Sequence, residues 1–410
     1  MIRLLAFCDD PAVPTGFGRV ADHVLKPLVD GGKYEVHICA MNYRGDTPDL
    51  ARYPYRYYMP YMSPQKDAYG FGRVKELLAR VEPDVVWLFN DLPILSTYFR
   101  EGGDALKDVP TVAYTPIDGD PFPKSYLDGL ALATIPAVYT QYAYDVIART
   151  AHPMRSWLRV ISHGHDPQEF YPLAEDKADA TRLARQCLGE RAGKVIDPNW
   201  YVVLRVDKNQ ERKNWPATLK AFAEFAQDKP EARLWCHTPF LVPNGYDIAA
   251  LAERYNVTDK VIGSGLSARN LGIPVEALNL LYNAADVHFS TATGGGWELS
   301  THEAKAAGTP TLITGYAGMT ETGAVGGLLI PYNRKYIAMR NSTEYALIDE
   351  QAAVDRLEEL YSDAEWRETL RKDALQWAQG MTWDAGEVAK RFDMAFHAAI
   401  AEQPEEIWHG

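Results

Sequence analysis

The segment STATGGGWELSTHEAKAAGTPTLI, residues 290–313, connects two apolar stretches through a glycine run and an alanine-rich stretch. The flanking sequences DVHFST and TPTLIT have the length and the branched side chains of buried strands. Between them, Gly294, Gly295 and Gly296 stand directly before a helical pattern that stops at Gly308. The segment therefore predicts a strand, a loop, a helix and a second strand, with a loop whose backbone can approach a ligand closely.

Strand and helix patterns alternate along most of the remaining chain. Apolar runs of strand length recur between helical patterns from IRLLAFC at residue 2 to WLRVIS at residue 157, and the alternation resumes with WYVVLRV at residue 200. Such alternation is typical of parallel sheets covered by helices on both faces. We therefore predict an α/β fold with two doubly wound, Rossmann-like domains facing each other across a cleft, and a helical C-terminus.

The domain boundaries are predicted from the length of the chain and from one polar stretch in which the strand–helix alternation stops. A chain of 410 residues exceeds one compact core, so two domains of about 150–200 residues are expected. We assign residues 1–165 to a first Rossmann-like domain, 166–198 to an interdomain connection with an entry helix, and 199–380 to a second Rossmann-like domain. Residues 381–410 form the helical end of the chain.

The composition argues against several classes of protein. No window approaches the roughly 20 apolar residues of a membrane span, and the N-terminus lacks a secretory pattern, so we expect a cytoplasmic protein without a transmembrane segment. The formal net charge of −13 disfavours broad affinity for nucleic acid but leaves room for a local basic groove. Neither the cysteines nor the histidines have the spacing of a metal site, so we expect no metal.

The glycine run predicts a phosphate site. Ligands of doubly wound sheets bind beyond the carboxyl ends of the strands, where this run is expected to lie. Ser300 and Glu303 form the S-x-x-E pattern of a capping box, which by itself accounts for these two residues. It does not account for Gly294, Gly295 and Gly296, whose bare backbone ahead of a helix N-terminus suits a phosphate group.

A basic loop follows the first strand of the second domain. In VLRVDKNQERKNWP, residues 203–216, the side chains of Arg205, Arg212 and Lys213 precede the next helical pattern. Guanidinium and ammonium groups in this place would neutralise a diphosphate leaving group. The alternative is an ordinary solvated basic loop. Its position at the carboxyl end of a strand favours the functional interpretation.

The first domain offers weaker signals after its strands. Gly16 and Gly18 precede a helical pattern, but the third glycine of the dinucleotide fingerprint is missing, and no acid closes the second strand to hold a ribose. A nicotinamide cofactor is therefore disfavoured. Asp91 and Asp118 follow the third and fourth strands, where they face the expected cleft or serve as turn residues. Both interpretations stay open.

Tyrosines and cations interleave between residues 41 and 75. Tyr55, Arg56 and Tyr57 lie at the centre of this stretch. Aromatic faces combined with cations can stack sugars or unstacked bases, which would make an acceptor-binding surface. The alternative is a hairpin or a loop whose tyrosines pack on the sheet.

Several of these motifs together resemble a known family of enzymes. TGFGRV, VISHGHDPQEFYP, VLRVDKNQERKN, LYNAADVHFSTATGGGWELSTHEAKAAGTP and the helical C-terminus resemble the retaining, nucleotide-sugar-dependent glycosyltransferases of glycosyltransferase family 4. The resemblance implies the GT-B fold, with an N-terminal acceptor-side domain, a C-terminal domain that binds the nucleotide sugar, and a last helix that crosses back. It also implies metal-independent transfer of a sugar from a nucleotide-diphosphate sugar to an acceptor hydroxyl with retention of configuration.

The resemblance also implies roles for residues of the second domain. Glu303 would bind the donor ribose. Arg205 and Lys213 would hold the donor diphosphate and carry catalysis, and Arg212 is a near alternative for this role. The glycine run and Ser300 would then lie against the same donor.

In the first domain, the resemblance implies that Gly16 and Gly18 present backbone to the donor. Asp118 falls where the family often has a histidine near the reacting carbon, so the usual catalytic assignment does not transfer directly. Asp91 would lie on the acceptor side with Tyr55 and its neighbours.

One acid of the family pattern is missing from this chain. The family usually has a second glutamate eight positions before the residue that corresponds to Glu303, and that position is Gly295 here. Glu298 stands where the family usually has glycine. Either Glu298 or the main chain of Gly295 and Gly296 would take over recognition of the sugar.

The acceptor and two other functions stay open. A glycan, a lipid-linked sugar or a modified base in DNA would each suit the tyrosine-rich stretch, and the last would make this a phage-type DNA glycosyltransferase. A nucleotide-sugar epimerase would share the two-domain shape and need no acceptor. The missing acid at Gly295 also allows a non-catalytic carbohydrate-binding protein.

Overall fold

The computed structural model describes residues 1–43, 49–60, 67–150, 152–193, 195–266, 272–380 and 385–401. The chain divides into two compact units. One consists of Met1–Gly164 together with Trp383–Gly410, and the other consists of His165–Thr382. Each unit has its own sheet and its own hydrophobic core.

A parallel sheet forms the centre of the first unit. Within the described residues it has seven strands in the order β3-β2-β1-β4-β5-β6-β7. The strands are β1 Ile2–Asp9, β2 Tyr34–Met41, β3 Arg56–Tyr58, β4 Val85–Phe89, β5 Thr111–Thr115, β6 Ile135–Val138 and β7 Arg159–Val160. The order runs outward in both directions from the β1–β4 pair, which places a topological switch point, and hence the expected ligand site, at the carboxyl ends of these two strands.

The central strands of this sheet are buried on both faces. All of β4 and most of β1 are inaccessible to solvent, which is why both consist of nearly continuous apolar residues. The edge strand β3 is partly exposed and only three residues long. It pairs in parallel with β2, with Tyr57 opposite Ile38.

Helices cover the first sheet on both faces. They are α1 Gly16–Asp30, α2 Val74–Val81, α3 Leu92–Gly102, α4 Asp104–Lys107, α5 Leu127–Leu130, α6 Gln141–Arg149 and, from the end of the chain, α15 Ala385–Ile400. The last of these packs on the sheet through Phe392, whose ring lies 5.2 Å from that of Trp87 and 5.0 Å from that of Tyr114. The core of the first unit is therefore completed by residues from the far end of the sequence.

The second unit repeats the doubly wound arrangement. Its six-stranded sheet has the order β10-β9-β8-β11-β12-β13, in which every described pair is parallel. The strands are β8 Tyr201–Val206, β9 Ala232–His237, β10 Val261–Gly263, β11 Val287–Ser290, β12 Thr311–Thr314 and β13 Gly327–Ile330. The switch point of this sheet lies between β8 and β11. The prediction of two doubly wound α/β units is confirmed.

The helices of the second unit include a helical end, as predicted. They are α7 Lys177–Ala192, α8 Trp215–Phe225, α9 Ile248–Arg254, α10 Val275–Ala284, α11 Leu299–Ala306, α12 Met319–Gly323, α13 Glu350–Ser362 and α14 Ala364–Gly380. Among the described helices, none combines the length and the hydropathy that crossing a membrane requires.

An antiparallel hairpin precedes these last helices and was not predicted. It consists of β14 Tyr332–Ile337 and β15 Glu344–Ile348. Its first strand is largely exposed and lacks an apolar run, so the sequence carries no strand signal there. The hairpin is held by cross-strand pairs instead, in which Lys335 bonds Glu344 at 3.0 Å and the rings of Tyr336 and Tyr345 lie 6.0 Å apart.

The packing of α15 generates a test of the first unit. Phe392→Ala should lower the free energy of unfolding by about 3–5 kcal/mol, because it leaves a cavity between two core rings. Met394→Ala on the same helix is the control, since Met394 is 38% exposed. Urea unfolding followed by circular dichroism measures both. Equal stability of the two variants would contradict a structural role for α15.

Candidate functional site

Two loops meet at the carboxyl edge of the second sheet. One loop follows β8 and leads into α8, and the other follows β11 and contains the glycine run. Because β8 and β11 are neighbouring parallel strands, their carboxyl ends lie side by side. The Thr293 amide donates to the carbonyl of Arg212 at 2.8 Å, and the Thr291 hydroxyl donates to the carbonyl of Asn214 at 2.9 Å. These bonds fix the basic loop against the glycine run.

Arg205 is enclosed inside this junction. Its side chain is 0% exposed, and one guanidinium nitrogen donates to the hydroxyls of Thr218 and Thr291. The other nitrogen donates to the carboxylate of Asp207 at 3.2 Å and to the carbonyl of Lys213. The guanidinium also lies 4.4 Å from the ring of Trp215. The prediction that Arg205 contacts a donor directly is therefore corrected, because its nitrogens point into the protein and hold the loop in place.

Lys213 is paired with two carboxylates, one on each side of its ammonium. Its ammonium lies 3.0 Å from Oδ1 of Asp207 and 2.5 Å from Oε1 of Glu298. Burial by itself would raise the pKa of Asp207, but the charges of Lys213 and Arg205 hold that pKa below its ordinary value. Asp207 therefore stays ionised and fixes the direction of the Lys213 side chain, which is 11% exposed.

Arg212 binds the glycine run itself. Its guanidinium donates to the carbonyl oxygen of Gly294, and its own carbonyl accepts hydrogen bonds from both the amide and the hydroxyl of Thr293. The side chain is half-buried. Arg212 thus shapes the loop whose backbone was predicted to face a phosphate.

The predicted capping box is wrong. Helix α11 begins at Leu299, one residue before Ser300, because the chain turns at Glu298 in the left-handed region with φ 66° and ψ 76°. Ser300 is therefore inside the first turn, and the side chain of the N-cap residue, Glu298, makes no hydrogen bond to the helix N-terminus among the described residues. The N-terminal amides of α11 are thus not occupied by a capping side chain, which suits an anion.

Glu303 is held by a tyrosine instead of by Ser300. The hydroxyl of Tyr282, near the end of α10, donates to Oε2 of Glu303 at 2.7 Å, and the carboxylate is buried. Tyr282 and Asp207 are site residues that the sequence reasoning missed. Asp207 stands beside the predicted basic residues and could have been found there, whereas Tyr282 lies in an apolar helical pattern that gives no such signal.

Buried polar contacts anchor α11 from behind. The ammonium of Lys305 donates to the carbonyls of Thr322 and Val325, and burial lowers the pKa of Lys305 to about 7. His302 lies 3.1 Å from His165 through ring nitrogens. These contacts fix the position of the helix whose N-terminus borders the glycine run.

In the first unit, the two predicted glycines have structural explanations. Helix α1 begins at Gly16, and the Thr15 hydroxyl accepts a hydrogen bond from the Gly18 amide at 2.9 Å. A Cβ atom on Gly18 would lie 2.6 Å from the carbonyl oxygen of Val13 and 2.7 Å from that of Asp10. Close packing therefore requires glycine at position 18, and backbone contact of Gly16 and Gly18 with a donor stays a prediction.

The predicted aspartates lie at the carboxyl edge of the first sheet. Asp91 is exposed at the start of α3, and Asp118 is half-buried after β5. Both act on one group: burial raises the pKa of Tyr139 well above its ordinary value, and Tyr114 and the charges of Asp91 and Asp118 raise it further. The structure thus brings the two aspartates to one tyrosine, and their catalytic or acceptor roles stay predictions.

The aromatic acceptor candidates mostly pack on the sheet. Tyr55 is 4% exposed, and burial raises the pKa of its hydroxyl far above the ordinary value. Tyr57 is half-buried in β3, with its ring 6.1 Å from that of Tyr55. Arg56 is exposed and pairs with Glu35 at 2.7 Å. The prediction that Tyr55 offers an acceptor surface is therefore corrected. Parts of the tyrosine-rich stretch, residues 44–48 and 61–66, lie outside the described residues.

The described residues contain no cluster of three histidine, cysteine, aspartate or glutamate side chains that could hold a metal ion. Metal independence therefore stays a prediction that only an experiment can test.

Comparisons with known proteins agree on the fold. No protein-family model matches the chain. In sequence, the chain is similar to mannosylfructose-phosphate synthase of Agrobacterium fabrum (strain C58 / ATCC 33970), with 28% identity over 192 residues that cover 44% of this chain and 37% of that protein. The chain thus matches well under half of the length of this relative.

Solved structures cover almost the whole chain. The structure is similar to sucrose-phosphate synthase from Thermosynechococcus elongatus, with a TM-score of 0.72, 17% identity and coverage of 98% of this chain and 100% of that one. It is equally similar to Anabaena Alr3699/HepE in complex with UDP-glucose, with a TM-score of 0.72, 16% identity and coverage of 97% and 100%. The fold is GT-B, and these similarities fit the resemblance to glycosyltransferase family 4.

The ion pairs around Asp207 generate a stability test. Asp207→Asn should lower the free energy of unfolding by about 3 kcal/mol at pH 7, because Lys213 and Arg205 lose their buried counter-charge. A folded-state pKa below the ordinary value stabilises the protein above that ordinary value, about 3.9, and the contribution is lost as the pH falls through the folded-state pKa.

The difference between wild type and Asp207→Asn should therefore be constant near neutral pH and shrink below about pH 4. Urea unfolding, followed by tryptophan fluorescence at pH 7 and again between about pH 3 and 3.5, measures this difference in the free energy of unfolding. Glu211→Gln, at an exposed position of the same loop, is the control and should change stability by less than about 0.5 kcal/mol. A pH-independent difference would contradict this assignment.

Proposed function

We propose that this chain, which has the GT-B fold, is a glycosyltransferase that moves a sugar from a nucleotide-diphosphate sugar to an acceptor hydroxyl. The observation that carries the proposal is the meeting of Lys213, the glycine run and the uncapped N-terminus of α11 at one sheet edge. The similarity to sucrose-phosphate synthase and to a HepE structure that contains UDP-glucose supports this choice of ligand.

The donor diphosphate would lie against the first turn of α11. Backbone amides and the positive end of the helix dipole favour an anion there, and the glycine run lets the phosphates approach the main chain. Lys213 would contribute a positive charge beside this position. Because negative charge develops on the departing diphosphate, stabilising that charge would be the main catalytic contribution of the site.

Arg205 and Asp207 would act through Lys213. Arg205 holds the carbonyl of Lys213 and Asp207 holds its ammonium, so the side chain is oriented before a ligand arrives. Orientation in advance lowers the entropy that must be lost on binding. We therefore assign Arg205 a positioning role, whereas Lys213 remains the candidate for direct contact.

Glu303 would bind the nucleotide ribose, as the family resemblance implies. An ionised carboxylate can accept hydrogen bonds from two neighbouring hydroxyls. The hydroxyl of Tyr282 fixes the orientation of this carboxylate within α11. Retention of configuration and a cytoplasmic location are further parts of this proposal. The acceptor is a hydroxyl of a glycan, a lipid-linked sugar or a nucleic acid.

A thermal-shift screen of nucleotide sugars tests the proposal. UDP-glucose, the ligand named for the similar HepE structure, is the first compound, followed by other nucleotide sugars and by the free nucleoside diphosphates. A donor present at about 100 times its Kd stabilises the folded protein by about 2.7 kcal/mol, which raises the melting temperature. The screen is repeated with EDTA, which should not change the shift. No shift with any nucleotide sugar would contradict the proposal.

The role of Lys213 has its own test. Lys213→Ala should lower the rate of nucleoside-diphosphate release from the selected donor by about 100- to 1,000-fold, because one charged donor to the leaving group is removed. Lys208→Ala, an exposed lysine of the same loop, is the matched control and should keep the wild-type rate. Circular dichroism checks that both variants are folded. A wild-type rate in Lys213→Ala would remove this residue from the mechanism.

A further inference from the structure

Glu298 has a backbone conformation that is costly for its residue type. Its φ of 66° and ψ of 76° lie in the left-handed region, which glycine adopts easily and glutamate rarely does. Backbone strain of this kind persists where the surrounding structure enforces it, and it is concentrated at functional sites. Glycine would adopt this backbone conformation at a lower cost in free energy than glutamate does. We therefore ask what the Glu298 side chain does at this position.

The side chain of Glu298 turns back toward the glycine run. Its Oε1 atom lies 2.5 Å from the ammonium of Lys213, and the side chain is only 2% exposed. A Cβ atom built on Gly295 would lie 3.1 Å from this same Oε1. The carboxylate of Glu298 therefore occupies the space beside residue 295 into which a side chain at 295 would project. Glycine at 295 leaves that space open.

The carboxylate is only partly used by the protein. Within the described residues, the hydrogen bond from Lys213 to Oε1 is the one that this side chain makes, and Oε2 has no hydrogen-bond donor. An ionised carboxylate can accept about four hydrogen bonds, so Oε2 has unused acceptor capacity. A hydroxyl group of a bound ligand would supply the missing donor.

We propose that Oε2 of Glu298 accepts a hydrogen bond from a hydroxyl of the donor sugar and thereby selects which sugar is transferred. This inference rests on the proposed function, in which Lys213 marks the diphosphate end of the donor. The sugar is bonded directly to the second phosphate, so a carboxylate beside that ammonium lies within reach of the sugar ring. A donor sugar without the matching hydroxyl would lack this hydrogen bond and would bind less tightly.

The decisive variant is Glu298→Gly. Glycine suits the left-handed backbone at this position, which offsets part of the cost of removing a buried counter-charge of Lys213, and circular dichroism checks that the variant is folded. Calorimetry compares the affinity for UDP-glucose with the affinity for UDP, and any other donor selected by thermal shift is compared with its own nucleoside diphosphate. We expect unchanged or tighter binding of the diphosphate and a loss of about 10- to 100-fold in affinity for the nucleotide sugar relative to it.

The outcomes separate this inference from the proposed function. If the variant weakens UDP and UDP-glucose equally, Glu298 only holds Lys213 and the inference is wrong. If the variant changes neither affinity, the inference is also wrong. In both cases the wild type still binds the donor, so the proposed function stands. A wild-type protein that binds neither ligand would overturn both.

A positional swap gives an independent check. In Gly295→Glu with Glu298→Gly, the new carboxylate begins beside the space that the old one has left. The atoms nearest to the new Cβ are then Cγ of Met319 at 3.3 Å and Sδ of Met319 at 3.4 Å, and this flexible side chain can move. The swap should recover at least about tenfold of the lost preference for the nucleotide sugar. A swap that binds like Glu298→Gly alone would contradict the placement of the sugar beside this carboxylate.

Discussion

The buried guanidinium of Arg205 is the interaction on which the rest of the second-unit site depends. A cation taken out of water is tolerated only where charges and hydrogen bonds compensate it. Here the compensation comes from Asp207, from two threonine hydroxyls and from the carbonyl of Lys213. Because these partners belong to the loop after β8, to α8 and to the loop after β11, one side chain of β8 ties three further segments to its own strand. The basic loop therefore has one conformation and not many.

This arrangement fixes the electrostatics of the site before any ligand binds. Two cations, Arg205 and Lys213, are matched by two carboxylates, Asp207 and Glu298. The cluster is thus close to neutral, which makes its burial tolerable. The attraction for an anion then comes from the helix N-terminus and from the side of Lys213 that faces it. In the proposed function, binding strength would be set by preorganised amides and one oriented ammonium, and only to a small degree by net positive charge.

The fold was largely predictable because parallel strands buried on both faces appear as apolar runs between helical patterns. The hairpin formed by β14 and β15 was not predictable, because its first strand is exposed and the two strands are held together by cross-strand pairs. The sequence identified most residues of the site, but it did not predict which of them bind a ligand and which hold the loops in place. The partners of Arg205 are hydroxyls 13 and 86 residues away in sequence, and no local pattern reports such contacts. The capping box failed because the helix start is set by the left-handed turn at Glu298.

The two units show why function has to be argued from the site and not from the topology. Both sheets have the doubly wound strand order, and the similarity to solved structures at 16–17% identity extends over both. Their carboxyl edges nevertheless differ in chemistry. The first edge places Asp91 and Asp118 around a buried tyrosine, and the second places a cation beside a glycine run and an uncapped helix. An anionic ligand is repelled by the carboxylates of the first edge and favoured by the helix N-terminus and the glycine run of the second. The proposed placement of the nucleotide diphosphate in the second unit therefore rests on the chemistry at the strand ends, which the shared topology does not determine.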